Sequence, residues 1–197
     1  MARYTYSELD AATLRSLVTF RDLGVVASRW ASLTQPIDAR ERAIYPLLVL
    51  AESREVQAFA QVPLEARFAR FELTGTLDGA LATSLSGTVE APFLVVVVEA
   101  KRGLEAVNPQ WQLYGEMLAA MVANAGPSRA SHAVMYGCYT ISDTWTFVRG
   151  EGASLDGDLP SLTVESSREY SERVAAEQIV GVLKGIVRAA PDGRSVA

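Results

Sequence analysis

The sequence predicts a mixed α/β fold, and three observations carry the prediction. Apolar residues recur at helical spacing near the N-terminus, after residue 108 and at the C-terminus. Between these segments, "VPLEARFARFELTGTLDGALAT" and "SHAVMYGCYTISDTWTFVRG" alternate apolar with polar residues and are rich in strand formers. Phe93–Val98, "FLVVVV", is a continuous apolar run of the kind that fills a central strand buried on both faces. The order is helix, strands, helix, strands, helix, in one domain of 197 residues, long enough to bury a substantial core.

Taken in order, residues 7–33 read as helical, with Leu9, Leu14, Leu17, Val18, Val25 and Trp30 at roughly helical spacing. "TQPIDARERAIYPLLVLAE" opens a second helix with Asp38 as its N-cap and Ile44, Leu47, Leu48 and Ala51 as its apolar stripe. Pro46 would kink that helix or mark a late start. Two antiparallel strands follow from Val56, with glycines at Gly75 and Gly79, and then the central strand "EAPFLVVVVEAK". "NPQWQLYGEMLAAMVANAG" is a helix, with Asn108 at the N-cap, Pro109 at the favoured first position and Gly126 beyond the end. Two more strands turn near Ser142 and Asp143, and "EGASLDGDLPS" reads as a surface loop. An amphipathic helix over about 168–190, with Val174, Ile179, Val182, Leu183 and Ile186, packs on the core or against a second subunit.

Composition narrows the function classes. The net charge of −5 argues against a broad electrostatic grip on nucleic acid but leaves room for a local one. A single cysteine, Cys138, allows no internal disulfide and fits a reducing compartment. The start, "MARYTYSELD", lacks a secretory pattern, and no apolar run approaches the ~20 residues of a membrane span. A soluble cytoplasmic protein that does not engage membranes is the expectation. Cys and His are too few for a zinc cluster, and no phosphate-binding glycine loop precedes a helix. His132, the only histidine, has no Gly-x-Ser-x-Gly elbow to serve. It reads as structural or exposed, and Trp30, Trp111 and Trp145 as core or interface residues.

The informative stretch is "FLVVVVEAKRG". Side chains alternate along a strand, so Glu99 and Lys101 share a face at the end of a buried strand, with Ala100 on the other. Charged residues are almost never fully buried unless paired, so this strand delivers a carboxylate and an ammonium to the sheet rim. Upstream, Asp78 in "GTLDGAL" stands near the middle of another strand, with Leu77 and Leu81 expected on the opposite face.

An Asp followed, twenty-one residues on, by a strand ending Glu-x-Lys resembles the PD-(D/E)XK nuclease superfamily. The resemblance implies a restriction-endonuclease-like αβββαβ core over about 38–150, a mixed central sheet flanked by helices, with extra N- and C-terminal helices. It covers an upstream helix bearing Glu41 (Glu52 is the fallback), and a following helix with Gln112 ahead of Tyr114 (Gln110 is the second candidate). Leu77 stands where the superfamily's name has proline, a position that varies. By this resemblance Asp78 and Glu99, with the Ala100 backbone carbonyl, would hold Mg²⁺ or Mn²⁺, a hard cation that takes oxygen ligands. Lys101 would orient the attacking water, Glu41 would hold a second metal or order its waters, and Gln112 would fix Lys101, the nucleophile or the phosphate. The implied activity is phosphodiester hydrolysis with DNA as substrate, and a homodimer is a further expectation.

Plainer readings stand beside each residue. Glu99 and Lys101 would also suit an exposed ion pair of little energetic worth, and Asp78 a surface carboxylate. Glu41 early in a helix complements the macrodipole whatever the function. A catalytically silent binding or assembly module on the same fold is the alternative function. An ion-pair network on an unrelated α/β fold is the third.

Overall fold

In the computed structural model, residues 1–33, 44–85, 87–100, 109–126 and 132–189 are described, the side chains of residues 32, 33, 44–46, 85, 99 and 100 excepted. Eight strands make one mixed sheet: β1 (Ala2–Thr5), β2 (Thr19–Val25), β3 (Val56–Arg67), β4 (Phe71–Leu85), β5 (Thr88–Ala100), β6 (His132–Ile141), β7 (Thr144–Ala153) and β8 (Ser161–Ser171). The helices are α1 (Ala11–Leu17), α2 (Ala27–Leu33), α3 (Ile44–Val49), α4 (Pro109–Ala125) and α5 (Glu172–Ala189). Among the described residues, no helix is long and apolar enough to cross a membrane.

The sheet runs β1-β4-β5-β6-β7-β8-β2, with β3 along the other edge of β4. β5 and β6 are parallel neighbours joined through α4, the crossover a parallel pair requires. β3 follows β4 from Glu72 to Thr83, which leaves β4 one further edge. Two strands share that edge: β1 pairs with Phe71–Thr74, and β5 pairs from Gly79 onward. The sheet therefore forks along Gly75–Asp78. The ring of Tyr6 fills the fork beside Gly75, where an added Cβ would collide with it.

Each face of the sheet buries its own core. Alternation along β5 sends Val96 and Val98 to one face, where Leu113, Met117 and Leu118 of α4 cover them. Val95 and Val97 point to the other, against Leu47 and Leu48 of α3 and Ile179, Val182 and Leu183 of α5. Both faces are covered, which is why this strand reads as an unbroken apolar run.

Sequence expectation and structure part in four places, one of them the N-terminal strand β1, where the sequence predicts no element. Residues 7–33 are not one helix: α1 is capped by Asp10, which accepts from the Thr13 N–H at 2.7 Å, and ends at Leu17. "TFRDLGV" then pairs with β8, so tertiary pairing and strand-forming Thr19, Phe20 and Val25 override an accidental helical spacing. Val25 consequently stands 62% exposed. At the other end, "SLTVESSREYS" is strand β8, and α5 starts at Glu172, not near residue 168. Polar residues mask this strand: Glu165 is buried but ion-paired with Arg29, and buried Ser167 accepts from the Phe147 N–H at 2.9 Å. Val174, assigned to the packed face of the helix, is 85% exposed. Lastly, Glu151–Ala153 of the expected loop belong to β7.

Elsewhere the elements agree. Gly126 ends α4 with φ of 56°, a left-handed cap that glycine adopts without strain. The β6–β7 turn falls at Ser142 and Asp143. Pro46 lies in the first turn of α3, where a missing N–H costs nothing. The proposed caps Asp38 and Asn108 lie outside the described residues.

Candidate active site at the sheet fork

Asp78 is set by an irregularity in β4. Leu77 and Ala80 both lie in the core under α4, whereas Leu81 lies in the opposite core. Two residues three apart on one face break strict alternation between them, so Leu77 and Leu81 do not share a face as the sequence suggested. On the partner strand, Ala60 pairs with Gly79 and Val62 with Leu77, and Gln61 between them takes φ of 53°. The β4–β5 ladder reaches Gly79↔Val97, and Asp78 is the next residue outward. In an unbroken ladder Leu77 would oppose Glu99 and Asp78 would oppose Val98, on opposite faces. The odd step at Asp78–Gly79 and the end of the ladder release Asp78 from that rule. Asp78 is half-buried there.

Glu99 and Ala100 belong to β5 and pair with Thr140 and Ile141 of β6. Asp78 and Glu99 thus stand on adjacent strands, offset by one register position across the fork. The side chains of Glu99 and Ala100 lie outside the described residues, as do Lys101 and Glu41 entirely. Thr140, the residue paired with Glu99, is buried, and its hydroxyl has no hydrogen-bond partner among the described residues.

The two glutamines of α4 divide their roles. Gln112 Nε2 donates to Glu116 Oε1 at 3.0 Å, one helical turn on, and Gln110 Nε2 donates to the Tyr139 hydroxyl at 2.8 Å. Glu52 is exposed, and its carboxylate accepts the Ala58 N–H at 2.8 Å at the start of β3. His132 is mostly exposed beside Glu151 on the β6–β7 pair, and Cys138 is buried, its thiol pushed well up by burial. Trp30 and Trp145 are core residues, and Trp111 is half-buried against Phe20 and Tyr114.

Sequence reasoning missed Glu116. It is fully buried, and its Oε2 has no hydrogen-bond partner among the described residues. Burial drives its carboxyl well above the usual glutamate range; the hydrogen bond from Gln112 opposes that rise, and the negative field of Asp78 adds to it. Glu116 in turn helps raise the Tyr6 phenol, whose burial is the larger cause. The signal was legible: Glu116 is the one charged residue in "PQWQLYGEMLAAMVANA", among apolar and small neighbours and four residues after Gln112. Among the described residues, no three His, Cys, Asp or Glu side chains form a group that could hold a metal ion.

No protein-family model matches the chain, and no curated protein does.

Proposed function

We propose that the protein is a divalent-metal-dependent phosphodiester hydrolase built on a restriction-endonuclease-like core, with DNA as its substrate. The observation that carries the reading is the position of Asp78: on a forked strand, one register position from the Glu99 that begins Glu-Ala-Lys. The order α3-β3-β4-β5-α4-β6 supports it, being helix, three strands, helix, strand as the resemblance implies.

The available donors suit a hard cation. Asp78 and Glu99 offer carboxylate oxygens, the ligands that Mg²⁺ and Mn²⁺ take, and Glu116 on the facing helix has a buried carboxyl oxygen with no partner among the described residues. Asp78 and Glu99, with the Ala100 carbonyl, would hold the ion. When bound, it supplies Lewis-acid polarisation of the phosphate and a more acidic water. Lys101, two residues past Glu99, would orient the water and offset negative charge that develops on the phosphoryl oxygens. Gln112 is engaged with Glu116, so its role in this reading is to hold that carboxyl, while Gln110 donates to Tyr139.

The test is cleavage of end-labelled single- and double-stranded DNA and RNA with Mg²⁺ or Mn²⁺ by wild type and Lys101→Ala. The reading predicts metal-dependent cleavage of DNA, reduced at least ~10²-fold in Lys101→Ala, the scale on which one transition-state-stabilising group acts. Cleavage indifferent to Lys101, or none by the wild type on any of these substrates, would overturn it and leave the binding-module reading standing. Cleavage of RNA alone would correct the substrate.

A further inference from the structure

Glu116 is a costly residue to keep without a use. A carboxyl taken wholly out of water needs hydrogen bonds to both oxygens, and among the described residues this one has a single amide donor, on Oε1. Its direction is fixed by its neighbours on α4. An added Cβ on Gly115 would meet Leu9 and Tyr6, so residue 115 faces the fork-filling turn. Met117 faces β6 and β7, touching the Cβ positions of Gly137 and Gly150. At about 100° per residue, Glu116 points between these two directions, toward β4 and β5. Those are the strands that part at Asp78. The same Tyr6 ring lies against Gly75 of β4, three residues before Asp78, and Asp78 is close enough for its charge to be felt at the Glu116 carboxyl.

We infer that Glu116 Oε2 is a further oxygen ligand of the divalent cation held at Asp78, with Gln112 as the positioning residue that fixes its other oxygen. The inference rests on the function proposed above. A cation between Asp78 and Glu116 would give the Oε2 oxygen its partner and balance the charge of the carboxylates that hold it. A rigid, helix-borne carboxylate with one oxygen already tied loses little freedom on coordination, which is how outer hydrogen bonds tune a metal ligand.

Mn²⁺ titration of the full chain, followed by the loss of the free-ion EPR signal, tests this in wild type, Asp78→Ala and Glu116→Gln. Glu116→Gln keeps shape and can still accept from Gln112, so apo thermal stability should hold or rise. Its Mn²⁺ affinity should fall roughly 10–100-fold, the range seen when the support of a metal site is removed. Wild-type affinity in Glu116→Gln would overturn the inference while the Asp78 site stands. An absence of saturable binding in wild type, or binding unchanged in Asp78→Ala, would instead bring down the site itself, and the inference with it. Should Glu116→Gln not fold, Glu116→Asp keeps the charge but withdraws it by one methylene. Weaker Mn²⁺ binding there supports the ligand role, and wild-type binding overturns it.

Discussion

At the scale of residues, the site is a contrast between a carboxylate placed by irregularity and one placed by regularity. Asp78 sits where β4 loses a partner and breaks alternation, so its neighbours in sequence do not predict its face. Glu116 sits on an unbroken helix among mostly apolar neighbours, with Gln112 as its hydrogen-bond donor, and it pays for that place in the energy of burial. Its folded-state pKa is raised above the unfolded value, so the folded protein holds that proton more tightly. The stability it contributes is complete below the ordinary glutamate range and is lost as pH rises from there through the folded value. Glu116→Gln removes the loss. Its melting temperature should match wild type near pH 4.5 and exceed it at pH 8 by about 2–4 °C for each kcal/mol relieved. A pH-independent difference between the two melting curves would show that Glu116 is not held neutral by burial. Gln112→Ala strips the carboxyl of its one donor, and a destabilisation of about 1–3 kcal/mol in urea unfolding is expected.

At the scale of elements, legibility followed how each segment is stabilised. β5 and α4 were readable because burial on both faces, or on most of a helix, writes itself into composition. β2 and β8 were not, because each is held by long-range pairing and by polar residues that tertiary contacts satisfy. Glu165 looks like a surface residue until Arg29 and Arg149 are brought beside it. Asp78 was legible as a carboxylate in a strand, but the fork at Gly75–Asp78 was not, since it arises from β1, some seventy residues away. Gln112 was legible as a helix residue near the site, whereas its bond to Glu116 needed the i, i+4 spacing to be weighed. The separation of site from core gives a prediction. Leu183 of α5 is fully buried on the face away from α4, so Leu183→Ala should cost about 2–5 kcal/mol in denaturant unfolding and leave Mn²⁺ affinity unchanged. A parallel loss of affinity would mean that the site depends on the α5 face.

At the scale of the whole molecule, one sheet carries two cores, so neither core can melt without exposing the sheet that the other needs. Trp30 and Trp145 report on the α5 face, Trp111 reports on the α4 face, and backbone circular dichroism reports on the whole. Urea unfolding followed by tryptophan fluorescence and by circular dichroism should give coincident midpoints; separated transitions would mean that the faces unfold independently. The net charge of −5 bears on the proposed function at this scale too: a nucleic-acid substrate would have to be held locally rather than by a broad basic surface. The most direct measurement is therefore of the cation itself: Mn²⁺ titration of the wild-type chain beside Asp78→Ala and Lys101→Ala. Saturable binding lost in Asp78→Ala and kept in Lys101→Ala is the predicted result. No binding by the wild type, or binding that ignores Asp78, would contradict the proposed site and leave Glu-Ala-Lys as charges on a sheet rim.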